Sequence, residues 1–238
     1  MATIHSNTTD GTQSTSTNSD WDTVHDSVGS SSPDTNDTTN NFAIQASYFN
    51  PPRNFYVLRR TFLDFDTSVI GTSINDGTIQ LYITGTFYDD MDIIFLKSGH
   101  DPSDATEDWY STWLTGLGGT ISGWSNTDSE IVPYTSECTT TGTGTGYHSC
   151  TLNGQALRDI RDNDVFKVVV MNYDFDYLDV EPPLFNELGI YFRDDGTARA
   201  PKIVVGGNYN ETINGIVKEN IANVNGVPLT SINKVNGV

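Results

Sequence analysis

From residue 42 onwards, apolar and polar side chains alternate in short runs separated by turn-forming residues. Residues 42–49 (FAIQASYF) and 55–65 (FYVLRRTFLDF) form two such runs, with Pro51-Pro52 marking the turn between them. Residues 78–84 (TIQLYIT) and 91–97 (MDIIFLK) form two more, divided by a turn at Asp89-Asp90. Residues 164–173 (DVFKVVVMNY) are the most apolar run and predict a central strand, and 188–192 (LGIYF) and 202–205 (KIVV) are the last strands. Asn153 is a good N-cap for the helix formers of residues 153–161 (NGQALRDIR), so one short helix is expected there. Residues 107–114 (EDWYSTWL) make a helical turn or a loop; a helix would put Trp109 and Trp113 on one face. About eight strands with no βαβ alternation predict an all-β fold: an antiparallel β-sandwich, or jelly roll, over residues 41–206. Residues 1–40 are polar apart from Ile4, Trp21, Val24 and Val28, and predict an N-terminal arm partly packed on the sandwich.

After Gly206-Gly207 the pattern changes. Asn214-Gly215-Ile216, Asn225-Gly226-Val227 and Asn236-Gly237-Val238 recur at an 11-residue step, with Ile221 and Ile232 keeping the same step. Asn-Gly favours a tight turn with positive φ. Ile213, Ile216, Ile221, Val224, Val227, Ile232, Val235 and Val238 would give short strand pieces beside those turns. One such arm buries almost nothing alone. Three arms wound together, or one laid on a neighbour's sheet edge, would bury these side chains. Residues 207–238 are therefore expected to be an assembly arm with a self-associated state, a homotrimer, as its partner; a disordered tail is the alternative.

Charge narrows the partners. The chain has 12 Lys+Arg against 31 Asp+Glu, a net charge of −19. So acidic a surface repels phosphates and anionic lipid, which argues against nucleic acid or membrane as partners. No stretch reaches the ~18 apolar residues of a membrane span. The start, MATIHSNTTDGTQ, has neither a basic nor an apolar segment, so no secretory signal is expected.

Several groups could carry chemistry. Asp174, Asp176 and Asp179, just after the strongest strand, could gather oxygen ligands for Ca²⁺, or form a solvated acidic loop. Asp194-Asp195-Gly196 reads as a hairpin turn, and a second oxygen-ligand site is its less favoured alternative. Trp109, Tyr110, Trp113 and Trp124 could form a platform for sugar rings, or cover the open end of the core. Cys138 and Cys150 could close a 13-residue loop as a disulfide, or remain two thiols on neighbouring hairpin strands. His148 is the only nearby nitrogen ligand, too few partners for zinc. Of Arg59 and Arg60, mid-strand on opposite faces, one should turn inward to a carboxylate such as Asp64 or Asp66, unless both lie exposed on an edge strand. No nucleophile–base motif or singled-out carboxylate pair is present, so an enzyme is not expected, and no cofactor beyond a structural Ca²⁺.

The order of landmarks resembles a known family. LRRTFLDFDTSVI at residues 58–70 leads to TIQLYIT, a Trp-containing insertion, TLNGQALRDI, a long apolar strand and GIYFRDDGTARAPKIVV. This order resembles the DNRLRE-type jelly-roll domain, a relative of carbohydrate-binding modules found in bacterial surface proteins and phage virion proteins. The match covers about residues 20–205. The tail resembles the I-x-x-[IV]-N-G-[IV] repeats at the ends of tailed-phage structural proteins. The resemblance implies a non-catalytic virion protein, with a structural calcium common in such modules. The favoured expectation is a capsid decoration protein partnered by itself and by the major capsid protein or another virion protein. A glycan- or receptor-binding module of a tail fibre or spike is the alternative, with a surface glycan as ligand. A secreted adhesin or filament subunit is a third.

Overall fold

The computed structural model describes residues 1–18, 20–27, 39–50, 52–70, 74–87, 91–104, 109–140, 145–193 and 196–206, with four short strands beyond them. The main strands are β1 (Ala2–His5), β2 (Gly11–Asn18), β3 (Thr39–Phe49), β4 (Phe55–Asp66), β5 (Asp76–Phe87), β6 (Asp92–Lys97), β7 (Cys138–Thr139), β8 (Gly146–Thr151), β9 (Val165–Asn172), β10 (Glu187–Tyr191) and β11 (Lys202–Gly206). Three α-helices, α1 (Trp21–His25), α2 (Trp109–Thr115) and α3 (Gly154–Asp162), and a π-helical turn (Tyr173–Tyr177) complete them. One short helix was expected; the described residues hold four helical segments. The strands expected from alternation are all present, and every ladder is antiparallel.

Two long strands are the hubs. One edge of β4 pairs with β2; its other edge pairs first with β3 and then with β9, which carries β6 and β7. One edge of β5 pairs with β8; its other edge takes β11 and then β10. The β3–β10 ladder joins the two sheets along one side of the sandwich. On the other side a Cys138–Cys150 disulfide links β7 to β8, with Cα atoms 5.8 Å apart. The bond therefore ties edges of opposite sheets, and does not merely pinch off a surface loop.

β4 is buried on both faces, and this positions everything below. Leu63 and Phe65 point into the core between the sheets, with Phe166, Val168 and Val170 of β9 and Ile93 and Phe95 of β6. Residues of opposite parity, Tyr56, Leu58 and Phe62 with Val169, Met171, Ile94 and Leu96, point into a second core. The segment around α1, α2 and Trp124 covers that second face. Gly99 and Gly116 allow α2 to dock closely: a Cβ on Gly116 would lie 2.5 Å from the Gly99 carbonyl oxygen. α3 starts as expected, Asn153 accepting from the Gln155 and Ala156 amides at 3.0 Å each.

The N-terminal segment expected to be an arm instead supplies two sheet strands. Gly11–Asn18 lacks apolar alternation, but its polar side chains satisfy each other in place. Thr12, Gln13 and Thr15 are buried, and Thr12 shares a hydroxyl hydrogen bond with Thr61 of β4 at 3.3 Å. No helix among the described residues is long and apolar enough to cross a membrane.

Candidate functional site

The second core is built around a buried cation. Arg60 on β4 is fully buried, and its Nε and Nη2 donate to the two carboxylate oxygens of Asp176 at 2.9 and 2.7 Å. Asp176 is also 0% exposed. Bidentate geometry compensates two desolvated charges better than a single contact could. The guanidinium lies 5.6 Å from the Trp113 ring centroid and 5.3 Å from that of Trp124. His25 of α1 stacks on Trp124 at 4.7 Å and bonds through Nε2 to the Asp176 carbonyl at 2.9 Å. One network thus joins α1, β4, the tryptophan insertion and the π-helical turn. Arg60 is turned inward and not part of an exposed pair, and its partner is Asp176, not Asp64 or Asp66. Asp64 instead accepts hydrogen bonds from Asn7 and Thr9.

Of the two readings of the tryptophans, cover of the core fits this network and an open sugar platform does not. Trp109 and Trp113 are 0% exposed and Trp124 is 2% exposed. A ring that stacks on a sugar must offer a free face; these faces are occupied by Phe62, His100, His25, Arg60 and each other. Tyr110 lies on α2, and its side chain is outside the described residues. His100, wedged between Phe62 and Trp109, hydrogen-bonds Ser98 through Nδ1 at 2.6 Å. Burial, reinforced by Lys167, pushes its pKa down to about 3.

The three aspartates considered for calcium do not form one convergent group of ligands. Asp176 gives its two carboxylate oxygens to Arg60. Asp179, at φ +50°, accepts from Trp21 Nε1 at 3.1 Å. Asp174 lies apart from both, beside Asp92, and burial followed by that repulsion raises its pKa. Among the described residues the one convergent group of three possible ligands is Cys138, His148 and Cys150. Both sulfurs are spent in the disulfide, so no thiolate is left for a metal. Asp194 and Asp195 lie outside the described residues.

A surface groove of about 330 Å³ lies where β10, β3 and β4 run side by side. Glu187, Gln45 and Arg59 are register partners in one row across these strands. Gln45 donates to Glu187 at 2.5 Å, and burial raises the Glu187 pKa against the opposing pull of Arg59. Phe49, Phe55 and Phe185 form the apolar end; Phe49 stacks on Phe55 at 4.9 Å and meets Phe185 edge-on at 4.6 Å. Nothing in the sequence marked this groove, because its polar row comes from three strands distant in the chain.

The C-terminal repeat forms minimal hairpins. β12 (Thr212–Ile213) pairs with β13 (Ile216–Val217), and β14 (Asn223–Val224) with β15 (Val227–Pro228). The second hairpin repeats the first register at the 11-residue step of the sequence. Each pair brackets an Asn-Gly dipeptide in the sequence. Residues 229–238, with Ile232, Val235 and Val238, lie outside the described residues, as do Ile221 and the Asn-Gly dipeptides.

No family model matches the chain, and no curated protein matches it.

Proposed function

We propose that this chain is a non-enzymatic structural protein of a bacteriophage virion, a capsid decoration protein that self-associates, as a homotrimer, through its C-terminal arm and links neighbouring capsomers. The observation that carries this is the pair of identical-register hairpins in residues 212–228. A hairpin of two residues per strand is not stable by itself. Repetition at a fixed step gives each hairpin the same faces to present, so several arms can stack where one cannot stand. The resemblance of the landmark order and of the tail repeat supports placement on a virion.

Deleting residues 207–238 tests this. The truncated chain is expected to melt like the full chain, to sediment as a monomer where the full chain is a trimer, and to fail to join particles. An unchanged oligomer and normal incorporation would sink the proposal.

One observation favours a second reading, a glycan- or receptor-binding module. The groove sets the donors and acceptors of Glu187, Gln45 and Arg59 beside three phenylalanines, the mixture a sugar ring meets well. A glycan array with wild type and Glu187→Ala separates the readings. Receptor binding predicts a signal that falls about tenfold or more in the variant, on the scale of one buried charged hydrogen bond; a decoration protein gives no signal in either.

A further inference from the structure

We propose that the seam between β7 and β8 is a redox-gated metal site: once the Cys138–Cys150 bond is reduced, both thiolates and His148 bind one thiophilic divalent cation of the zinc class. Three ligating atoms, one each from Cys138, His148 and Cys150, already lie within 4.8 Å of one another. His148 and Cys150 are two residues apart on β8, so strand alternation sends both side chains to one face. Cys138 meets them from β7, its Cα 5.8 Å from that of Cys150. The register pairs Ile93↔Cys138 and Leu81↔His148 fix the two strands to opposite sheets, so the three groups converge from a rigid frame.

The distances suit a tetrahedral cation. With Zn–S of about 2.3 Å and Zn–N of about 2.0–2.1 Å, a sulfur and a nitrogen on one zinc stand about 3.6 Å apart. Cys138 Sγ lies 3.6 Å from His148 Nε2. That pair is in place before any metal arrives. Only the Cys150 sulfur has to withdraw, to about 3.7 Å from its former partner, a shift within reach of one side-chain torsion. A hydrogen bond between the His148 ring and the Thr139 backbone supplies the outer contact that orients a ligating imidazole.

The donor set selects the metal class. Two thiolates and an imidazole suit zinc and its soft neighbours, and not calcium or magnesium, which take oxygen. Between the two cysteines the chain holds only Thr, Gly, Tyr, Ser and His148, so the fourth position is left to water. The electrons and protons balance with a dithiol as reductant. It gives two electrons and two protons to the disulfide and closes into its own disulfide; the cation then displaces both thiol protons. The bound cation links the same two sheet edges that the covalent bond links when oxidised. None of these residues belongs to the C-terminal arm, so the assembly proposal stands or falls separately.

The test uses the full chain, reduced with excess dithiothreitol and freed of it by anaerobic gel filtration, with Co²⁺ alone as the first probe. Reduced wild type is expected to bind one Co²⁺ with the intense sulfur-to-cobalt absorption of a thiolate site, and Zn²⁺ to displace it. The oxidised chain and Cys138→Ser/Cys150→Ser are expected to show no such absorption. His148→Ala is expected to bind at least about tenfold more weakly, a loss that even a residue merely orienting a ligand brings. Zn²⁺ should also raise the melting temperature of reduced wild type, since a cation that binds the folded chain stabilises it, and should not do so for the serine pair. No sulfur-to-cobalt absorption after reduction, equal affinity in wild type and His148→Ala, or a melting temperature that ignores Zn²⁺ or rises equally in the serine pair would overturn the proposal.

Discussion

Replacing Arg60 with methionine is expected to destabilise the fold by about 3–5 kcal/mol, the cost of leaving one member of a buried pair uncompensated. Asp176 is 0% exposed and draws both of its charged hydrogen bonds from Arg60, at 2.9 and 2.7 Å. Without the guanidinium its carboxylate keeps the full desolvation penalty. Trp113 and Trp124 also lose the cation packed between them. The effect should spread, because Arg60 Nη2 reaches the His25 carbonyl and His25 holds α1 against the π-helical turn. Asp176→Leu should cost a similar amount, by removing the carboxylate that accepts from the buried guanidinium. The double variant Arg60→Met/Asp176→Leu is expected to recover most of the loss, since apolar residues of similar volume often replace a buried pair at little cost. Chemical denaturation of the four proteins supplies the cycle. A single variant within about 1 kcal/mol of wild type would show that the network is not what holds the second core.

The pattern along the chain made some of this network legible and hid the rest. FYVLRRTFLDF is apolar in both phases of its alternation, with Leu58 and Phe62 on one and Leu63 and Phe65 on the other. That is the mark of a strand covered on two sides, but alternation by itself favoured an exposed arginine pair on an edge strand over one turned inward. Its partner was not foreseeable, because Asp176 lies 116 residues away and local spacing favours Asp64 or Asp66. The tryptophans show a different limit. Trp109, Trp113 and Trp124 have the same spacing whether they form an open platform or a lid, and only the placement of α1 and β4 decides. Gly11–Asn18 was missed as a strand because its stabilising contacts are hydroxyl pairs, which leave no apolar period. The Asn-Gly hairpins of the tail were legible because their cause is local: two adjacent residues that tolerate positive φ.

Removing the disulfide, by reduction or by Cys138→Ser/Cys150→Ser, is expected to cost about 3 kcal/mol in the chain-entropy model, or roughly 6–12 °C in melting temperature for a domain of this size. The loss should be uneven. On one side the sheets stay joined by the β3–β10 ladder. On the other, β7 pairs with β6 through only two register positions, Asp92↔Thr139 and Ile93↔Cys138. So short a ladder holds weakly without the covalent link to β8. Hydrogen exchange in the reduced protein should therefore rise in β7 and β8 while β3, β4 and β10 keep their protection. Uniform exchange, or a melting temperature unmoved by reductant, would show that the bond adds nothing to sandwich closure.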